Sequence, residues 1–307
     1  MSNKIKRFLY QLQNNPKGAM DYFWHIAAPV IPDKLYLKVE FWLHMGYWPD
    51  LTHPKTFNEK LQWLKLESKK HPEYTQMVDK VAAKDYAASI IGEQYIIPTL
   101  GVWNSVDDID WTSLPNQFVV KAAGDSGGII ICKDKANFNI EEAKAYLKKY
   151  GERSYYILNR EYPYKNVPHR YIAEAYMEDE SGYELKDYKF FCFNGEPQFL
   201  KVDFNRYIEH HANYYDVRFS LLPFGELKLP PIFEHQIKCP ENFELMLELA
   251  KKLSHTMTFI RVDLYNIRGK VYFGELTFFP DSGIGKWTDA NIDLTIGDLI
   301  NLPTDSI

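Results

Sequence analysis

Cysteine is nearly absent from this 307-residue chain: Cys132, Cys192 and Cys239 are the only three, far apart and with no Cys-x-x-Cys among them. An odd, scattered set excludes a disulfide framework or a zinc ribbon and suits a reducing compartment. Long apolar runs are lacking as well. The longest fall far short of the ~20 residues that cross a bilayer. No apolar core of signal-peptide length precedes a small-residue cleavage site. Positive charge is not in excess, since 36 Lys and Arg against 41 Asp and Glu leave a net charge of −5. That balance gives no sign of a nucleic-acid partner. Repeats and low-complexity tracts are missing too. What remains is ordinary globular composition, 46% hydrophobic and 25% charged, which argues against disorder. The length suits two domains, or one large domain with subdomains, and a core that needs no staples.

Residues Met1 to Leu12 place Ile5, Phe8, Leu9 and Leu12 on one helical face beside Lys4, Lys6 and Arg7. Two readings are open: a helix docked on its own domain, or a helix lying on an anionic membrane surface. Up to about residue 78 the chain reads as short helices cut by Pro29, Pro32, Pro49 and Pro54. Thr56-Phe57-Asn58-Glu59 forms a capping box, and Phe57, Leu61 and Leu64 give the helix it opens a buried stripe. A second helix is expected from Asp79 to Gly92, with Lys80 and Lys84 on one face. Strands then take over: 118–122, 129–132, 171–177, a hairpin of 187–193 and 198–202 across Asn194-Gly195, and a last hairpin of 259–264 and 271–278. Helices are expected near 140–150 and 241–253.

Three segments carry chemistry. Gly124-Asp125-Ser126-Gly127-Gly128 joins two strands, which excludes a Walker loop or a dinucleotide fingerprint, both built on strand–loop–helix. A glycine-rich strand–strand loop still offers backbone N–H groups to phosphates, with Ser126 adding a hydroxyl; the plain alternative is a solvated hairpin loop. Lys121 ends an apolar strand just before it. By alternation it leaves Phe118, Val120 and Ala122 on the opposite face, so it must snorkel, pair with a carboxylate or meet an anion. In the last hairpin, an even pairing register puts Arg261, Asp263, Glu275 and Thr277 on one face. Such a patch suits Mg²⁺ with bound phosphates, the guanidinium steadying developing charge; the alternative is a cross-strand Arg261–Glu275 salt bridge. No nucleophile–base pair stands out, and His210-His211 would face opposite ways on a strand.

The order of these elements resembles the ATP-grasp fold, and more closely its TupA-like branch of bacterial surface-polysaccharide and teichuronopeptide loci. The phrases that carry the resemblance are Pro54-Lys55-Thr56-Phe57-Asn58-Glu59-Lys60-Leu61, Asp79-Lys80, Asp187-Tyr188-Lys189-Phe190, Arg261-Val262-Asp263-Leu264-Tyr265 and Tyr272-Phe273-Gly274-Glu275-Leu276-Thr277-Phe278. It spans about residues 33 to 290. It implies an α+β class, two α+β subdomains clasping ATP behind a short, mainly helical N-terminal region. The expected limits are 1–78 for that region and 79–307 for the ATP-grasp domain, with a small subdomain at about 115–178 and a metal-binding one at about 184–300.

The resemblance also implies roles. Lys80 reaches the ATP phosphates, with Lys84 as a neighbour. Lys121 contacts the α-phosphate and the adenine edge. Gly124, Ser126, Gly127 and Gly128 form a flap over the phosphates. Glu174, Ala175, Tyr176 and Met177 form the hinge strand that reads adenine, Asp187 binds ribose and Lys189 meets phosphate. Asp263 and Glu275 hold Mg²⁺, with Thr277 where an Asn is usual; a neutral hydroxyl is a weaker ligand. Arg261 stabilises the reacting acyl phosphate, and Asp281, Ser282 and Gly283 present the acceptor. The implied activity is an ATP-dependent carboxylate–amine ligase, with ATP and Mg²⁺, joining an amino acid to a sugar of a capsular or other surface polysaccharide. The alternatives are a phosphotransferase on the same fold, or a degenerate nucleotide-binding scaffold in polysaccharide assembly, a setting in which a glycosyltransferase label also occurs. The expected setting is the cytoplasm, at the inner face of the membrane if the N-terminal helix lies on lipid. The expected partners are an amino acid and a sugar or glycan acceptor.

Overall fold

A computed structural model of the protein describes residues 24–303 apart from 126 and 207. The amphipathic segment Met1–Leu12 lies outside the described residues, and so does the membrane contact expected of it. Pro32 precedes helix α1 (Asp33–Met45), which ends on left-handed Gly46. Helix α2 (Phe57–Glu67) starts on the expected capping box. The Thr56 hydroxyl accepts from the Glu59 N–H at 3.2 Å, and the Glu59 carboxylate accepts from the Thr56 N–H at 3.1 Å. Helix α3 (Tyr74–Val78) follows, and then α4 (Ala82–Ile91). The helix expected from Asp79 therefore begins three residues late. Asp79 keeps an extended backbone, its carboxylate accepting from the Val81 N–H at 3.0 Å and pairing with Arg170. Lys80 thus stands before the helix, and Lys84 lies in its first turn.

Among the described residues the strands form two antiparallel sheets. The smaller holds β1 (Thr99–Trp103), β2 (Phe118–Ala122), β3 (Ile129–Cys132) and β4 (Tyr171–Ala175) in the order β1-β4-β2-β3. Its inner face, with Phe118, Val120 and Ala122, packs on Ala143 and Leu147 of α5 (Ile140–Gly151). Helix α6 (Tyr155–Asn159) leads back towards β4.

The larger sheet holds β5 (Asp187–Phe193), β6 (Glu196–Phe204), β7 (His211–Asp216), β8 (Phe259–Ile267) and β9 (Lys270–Thr277) in the order β7-β6-β5-β8-β9. Asn194-Gly195 and Arg268-Gly269 make its two tight turns, all four residues at positive φ, as a two-residue hairpin requires. One face is backed by the apolar side of α7 (Phe243–Ser254), with Phe190 against Phe243. The other face is divided. Phe191, Phe193 and Phe259 meet Phe57 of α2, so that helix shares the main core. The far half of the same face is charged and looks into a cleft towards the small sheet. Helix α8 (Ala290–Gly297) packs on α2.

Candidate functional site

Antiparallel pairing decides which side chains meet, because residues opposite one another point to the same face. Arg261 pairs with Thr277, Asp263 with Glu275 and with Lys189, and Lys189 with Lys201. The next row runs Tyr265, Asp187, Asp203. The register sums are even, so Arg261, Asp263, Glu275 and Thr277 do share a face. That face forms one wall of a cavity of about 610 Å³, within the usual range for ligand pockets. The small sheet and α4 form the other wall. There Lys121, on the outward side of β2, is bound at 2.6 Å by Glu174 of β4, and Lys84 reaches the same carboxylate at 2.5 Å. Lys80 donates to the Asp125 carbonyl at 2.5 Å. Ala175, Tyr176 and Met177 continue the wall, the last two beyond the end of β4.

The electrostatics follow from this crowding. Burial opposes the charge on Glu174, but Lys121 and Lys84 outweigh it and hold the carboxyl at about 2. Burial lowers Lys80 and Lys84. Lys189, fully enclosed, is nonetheless raised by Asp187 and Asp263, to which it donates at 2.8 Å each. Desolvation in the cleft raises Glu275, yet Lys80, Lys189 and Arg261 outweigh it and hold the carboxyl below the usual carboxylate range.

The structure sets several of these side chains in ion pairs of their own. Glu174 does not offer a free carboxylate to a base: it is the counter-ion of two lysines. Both oxygens of Asp263, expected to hold Mg²⁺, are engaged by cations. Arg261 donates to both its oxygens at 2.7 Å, Lys189 adds a third bond, and the residue has no exposed surface. The cause is local, since Lys189 lies directly across the β5–β8 pair and Arg261 two residues along the same face. Thr277 accepts from Arg261 at 3.0 Å. Of the three expected ligands, Glu275 alone keeps a half-exposed side chain in the cavity, and among the described residues no set of three His, Cys, Asp or Glu is disposed to hold a metal. One carboxylate with substrate phosphates still fits Mg²⁺, which retains much of its own water. Asp187 is buried, with one oxygen held at 2.8 Å by Lys189 and at 2.8 Å by Arg206.

The glycine loop also lies differently from the expected flap. Gly124, Gly127 and Gly128 do not line the cavity. Gly124 packs on Val167, and the other two pack on Tyr150. The anchor is Asp125, which is buried, clamped by Arg153 and bonded by the Gly127 N–H at 2.7 Å. Ser126 lies outside the described residues. Asp281 and Ser282 do line the cavity, while Gly283 is buried against α2, where Gln62 donates to its carbonyl at 2.7 Å.

Other cavity residues escaped the sequence reading. Lys201 and Asp203 alternate along β6 among apolar neighbours, a signal like the one that marked Lys121. Glu161, Arg206, Glu226 and Lys228 come from irregular segments where no periodicity marks them. Asp108-Ile109-Asp110 has the Asp-x-Asp form of sugar-nucleotide transferases. It stands outside the cavity, where Asp110 accepts from Thr112 and Ser113 in a surface turn.

The sequence model of the TupA-like ATPgrasp family matches residues 59–301. The chain therefore belongs to the TupA-like ATP-grasp family, and its two-sheet α+β architecture is the ATP-grasp fold. Among curated proteins none matches. Solved structures that resemble it include D-alanine–D-alanine ligase of Bacillus anthracis in complex with ATP, at 14% identity over 66% of this chain and 55% of that one, TM-score 0.41. The same enzyme of Helicobacter pylori is 19% identical over 73% and 61%, TM-score 0.35. The ATP-grasp ligase PsnB, with Mg and ADP, is 8% identical over 67% and 52%, TM-score 0.38. The chain spans between about half and three-fifths of the length of these structures. No helix among the described residues is long and apolar enough to cross a membrane.

Proposed function

We propose that this protein is an ATP-dependent carboxylate–amine ligase that joins an amino acid to a sugar of a surface polysaccharide. The observation that carries the reading is the cavity itself. Lys80, Lys84 and Lys121 with Glu174 stand on one wall, and Arg261 with Glu275 stands on the other. Three lysines and one glutamate leave 3 − 1 = +2 on the first wall, which suits a polyphosphate. Phosphoryl transfer asks little covalent work of a protein; positioning and charge neutralisation dominate. Here the lysines would hold the phosphates, the hinge from Glu174 to Met177 would flank the base, and Arg261 would meet the charge that develops on the reacting carboxylate. Mg²⁺, held by Glu275 and the phosphates, would draw charge from the transferred phosphoryl group. Asp281 and Ser282 lie at the acceptor end.

The test is thermal unfolding of wild type and Lys121→Ala with and without Mg·ATP. A ligand at 100 times its dissociation constant adds ~2.7 kcal/mol. A Mg-dependent rise in Tm in wild type, lost in the variant, supports the nucleotide site. ADP release over panels of amino acids and sugar acids or amino sugars then decides the chemistry. Ligation requires both a carboxylate and an amine, whereas release with one substrate alone identifies a phosphotransferase.

A further inference from the structure

Glu161 is a buried carboxylate on the cavity with no direct ion pair among the described residues; the nearest cation, Lys65, reaches it only across the Ser282 hydroxyl. Glu161 follows Arg160, a left-handed residue whose guanidinium is fixed by Asp33 and by the carbonyls of Ala28 and Ile157. That clamp sets Glu161 at the cavity wall with only 3% of its surface exposed. Its Oε1 accepts from the Ser282 hydroxyl at 2.9 Å, and its carboxylate forms no other hydrogen bond or ion pair among the described residues. The nearest cation, Lys65 of α2, has its three N–H donors committed: to the Asn159 carbonyl at 2.9 Å, the Ser282 carbonyl at 2.8 Å and the Ser282 hydroxyl at 2.7 Å. Lys65 therefore touches Ser282, not Glu161. Burial raises the Glu161 carboxyl to about 7 and lowers Lys65 to about 8, each shift opposed by the charge of the other group. Tyr164, Arg261 and Glu275 line the same cavity as Glu161.

Burying a carboxylate without a direct counter-ion is costly, and a buried, cavity-facing carboxylate held by a single hydroxyl marks a functional position. We infer that Glu161, oriented by Ser282 and Lys65, is the seat of the acceptor's primary ammonium group and takes its proton. This rests on the ligase reading above. An amine reaches the site as an ammonium and cannot attack until it loses a proton. One proton passes from the ammonium nitrogen to Glu161. The freed lone pair forms the C–N bond at the acyl carbon. The C–O bond to phosphate breaks with its electron pair on the departing inorganic phosphate, and that phosphate carries away the second N–H proton. The site takes N–H donors, so it selects a primary amine, such as an amino acid or an amino sugar, over a quaternary one.

The probe is methylammonium, titrated into the full-length protein without nucleotide. It is compared with tetramethylammonium at equal ionic strength, and the amide resonances of Glu161 and Ser282 are followed by NMR. Methylammonium should shift both resonances, tetramethylammonium should leave them in place, and Glu161→Gln should lose the response. Equal responses to the two cations, no response in wild type, or an undiminished response in Glu161→Gln would overturn the assignment. If the variant does not fold, the two cations in wild type decide alone. Mg·ATP binding is read separately by thermal unfolding, so failure of the ligase reading and failure of this subsite are distinct results.

Discussion

Glu174→Gln is the most informative single change in the cleft. The folded carboxyl is held at about 2 against an ordinary value of 4.5. At 1.36 kcal/mol per pH unit, that displacement is worth about 3 kcal/mol of stability at pH 7. The neutral amide removes this contribution and leaves Lys84 and Lys121 facing each other, a loss consistent with the roughly 3–5 kcal/mol that follows breaking a buried pair. The sign with pH is fixed as well. A carboxyl held below its unfolded value contributes fully above 4.5 and progressively less as pH falls towards 2. Urea unfolding of wild type and variant should therefore show a gap of about 3 kcal/mol at pH 7 that shrinks to roughly half at pH 3. A gap of the same size at both pH values would refute the argument, because it would assign the loss to packing. The same lysines predict a second effect. In the variant the phosphates of Mg·ATP supply the missing negative charge, so nucleotide should raise Tm by more than it does in wild type.

Two further changes test the frame around the site. Phe57→Ala empties the contact of α2 with Phe191, Phe193, Phe259 and Trp287; it should cost about 3–5 kcal/mol, seen as a lower urea midpoint at unchanged m-value. Gly195→Ala should cost at least about 1–2 kcal/mol, because φ is +83 and a Cβ would stand 2.7 Å from the His255 carbonyl; a neutral Tm would contradict the turn geometry.

The hairpins were legible because their signals are local. Asn194-Gly195 and Arg268-Gly269 accept the positive φ a two-residue turn needs, and strand alternation then puts Arg261, Asp263, Glu275 and Thr277 on one face. Lys121 was legible for the same reason, a cation on one side of an apolar strand. What pairs with what was not legible. Lys189 meets Asp263 only because β5 lies beside β8, a neighbour relation between residues 74 apart in sequence. It therefore took the sheet order to show that Asp263 is a counter-ion. The loop at 124–128 misled in the opposite way. Its glycines suit a phosphate flap, but the buried Asp125–Arg153 pair turns them towards Tyr150. Glu161 gave no signal, because its position depends on Arg160 and on contacts with residues 28 and 33.

The end of the cleft lined by Asp281 and Ser282 depends on α2 as much as on the sheet. After β9 the backbone enters the left-handed region at Asp281, Ser282 and Gly283 in succession, with φ of +45, +54 and +64. For the two non-glycine residues that conformation costs about 1–2 kcal/mol each, so the loop needs partners outside itself. Helix α2 provides them. Gln62 donates to the Ser282 and Gly283 carbonyls at 3.0 and 2.7 Å, Lys65 donates to Ser282, and Asn58 donates to the Gly285 carbonyl at 2.8 Å. Buried bonds of this kind contribute about 1 kcal/mol each, more where a charge takes part, enough to offset the strain. The loop bends that way because α2 holds it. The capping box that starts α2 and the Phe57 contact that seats it therefore act on the Ser282–Glu161 hydrogen bond, so the helix ahead of the small sheet helps to shape the site.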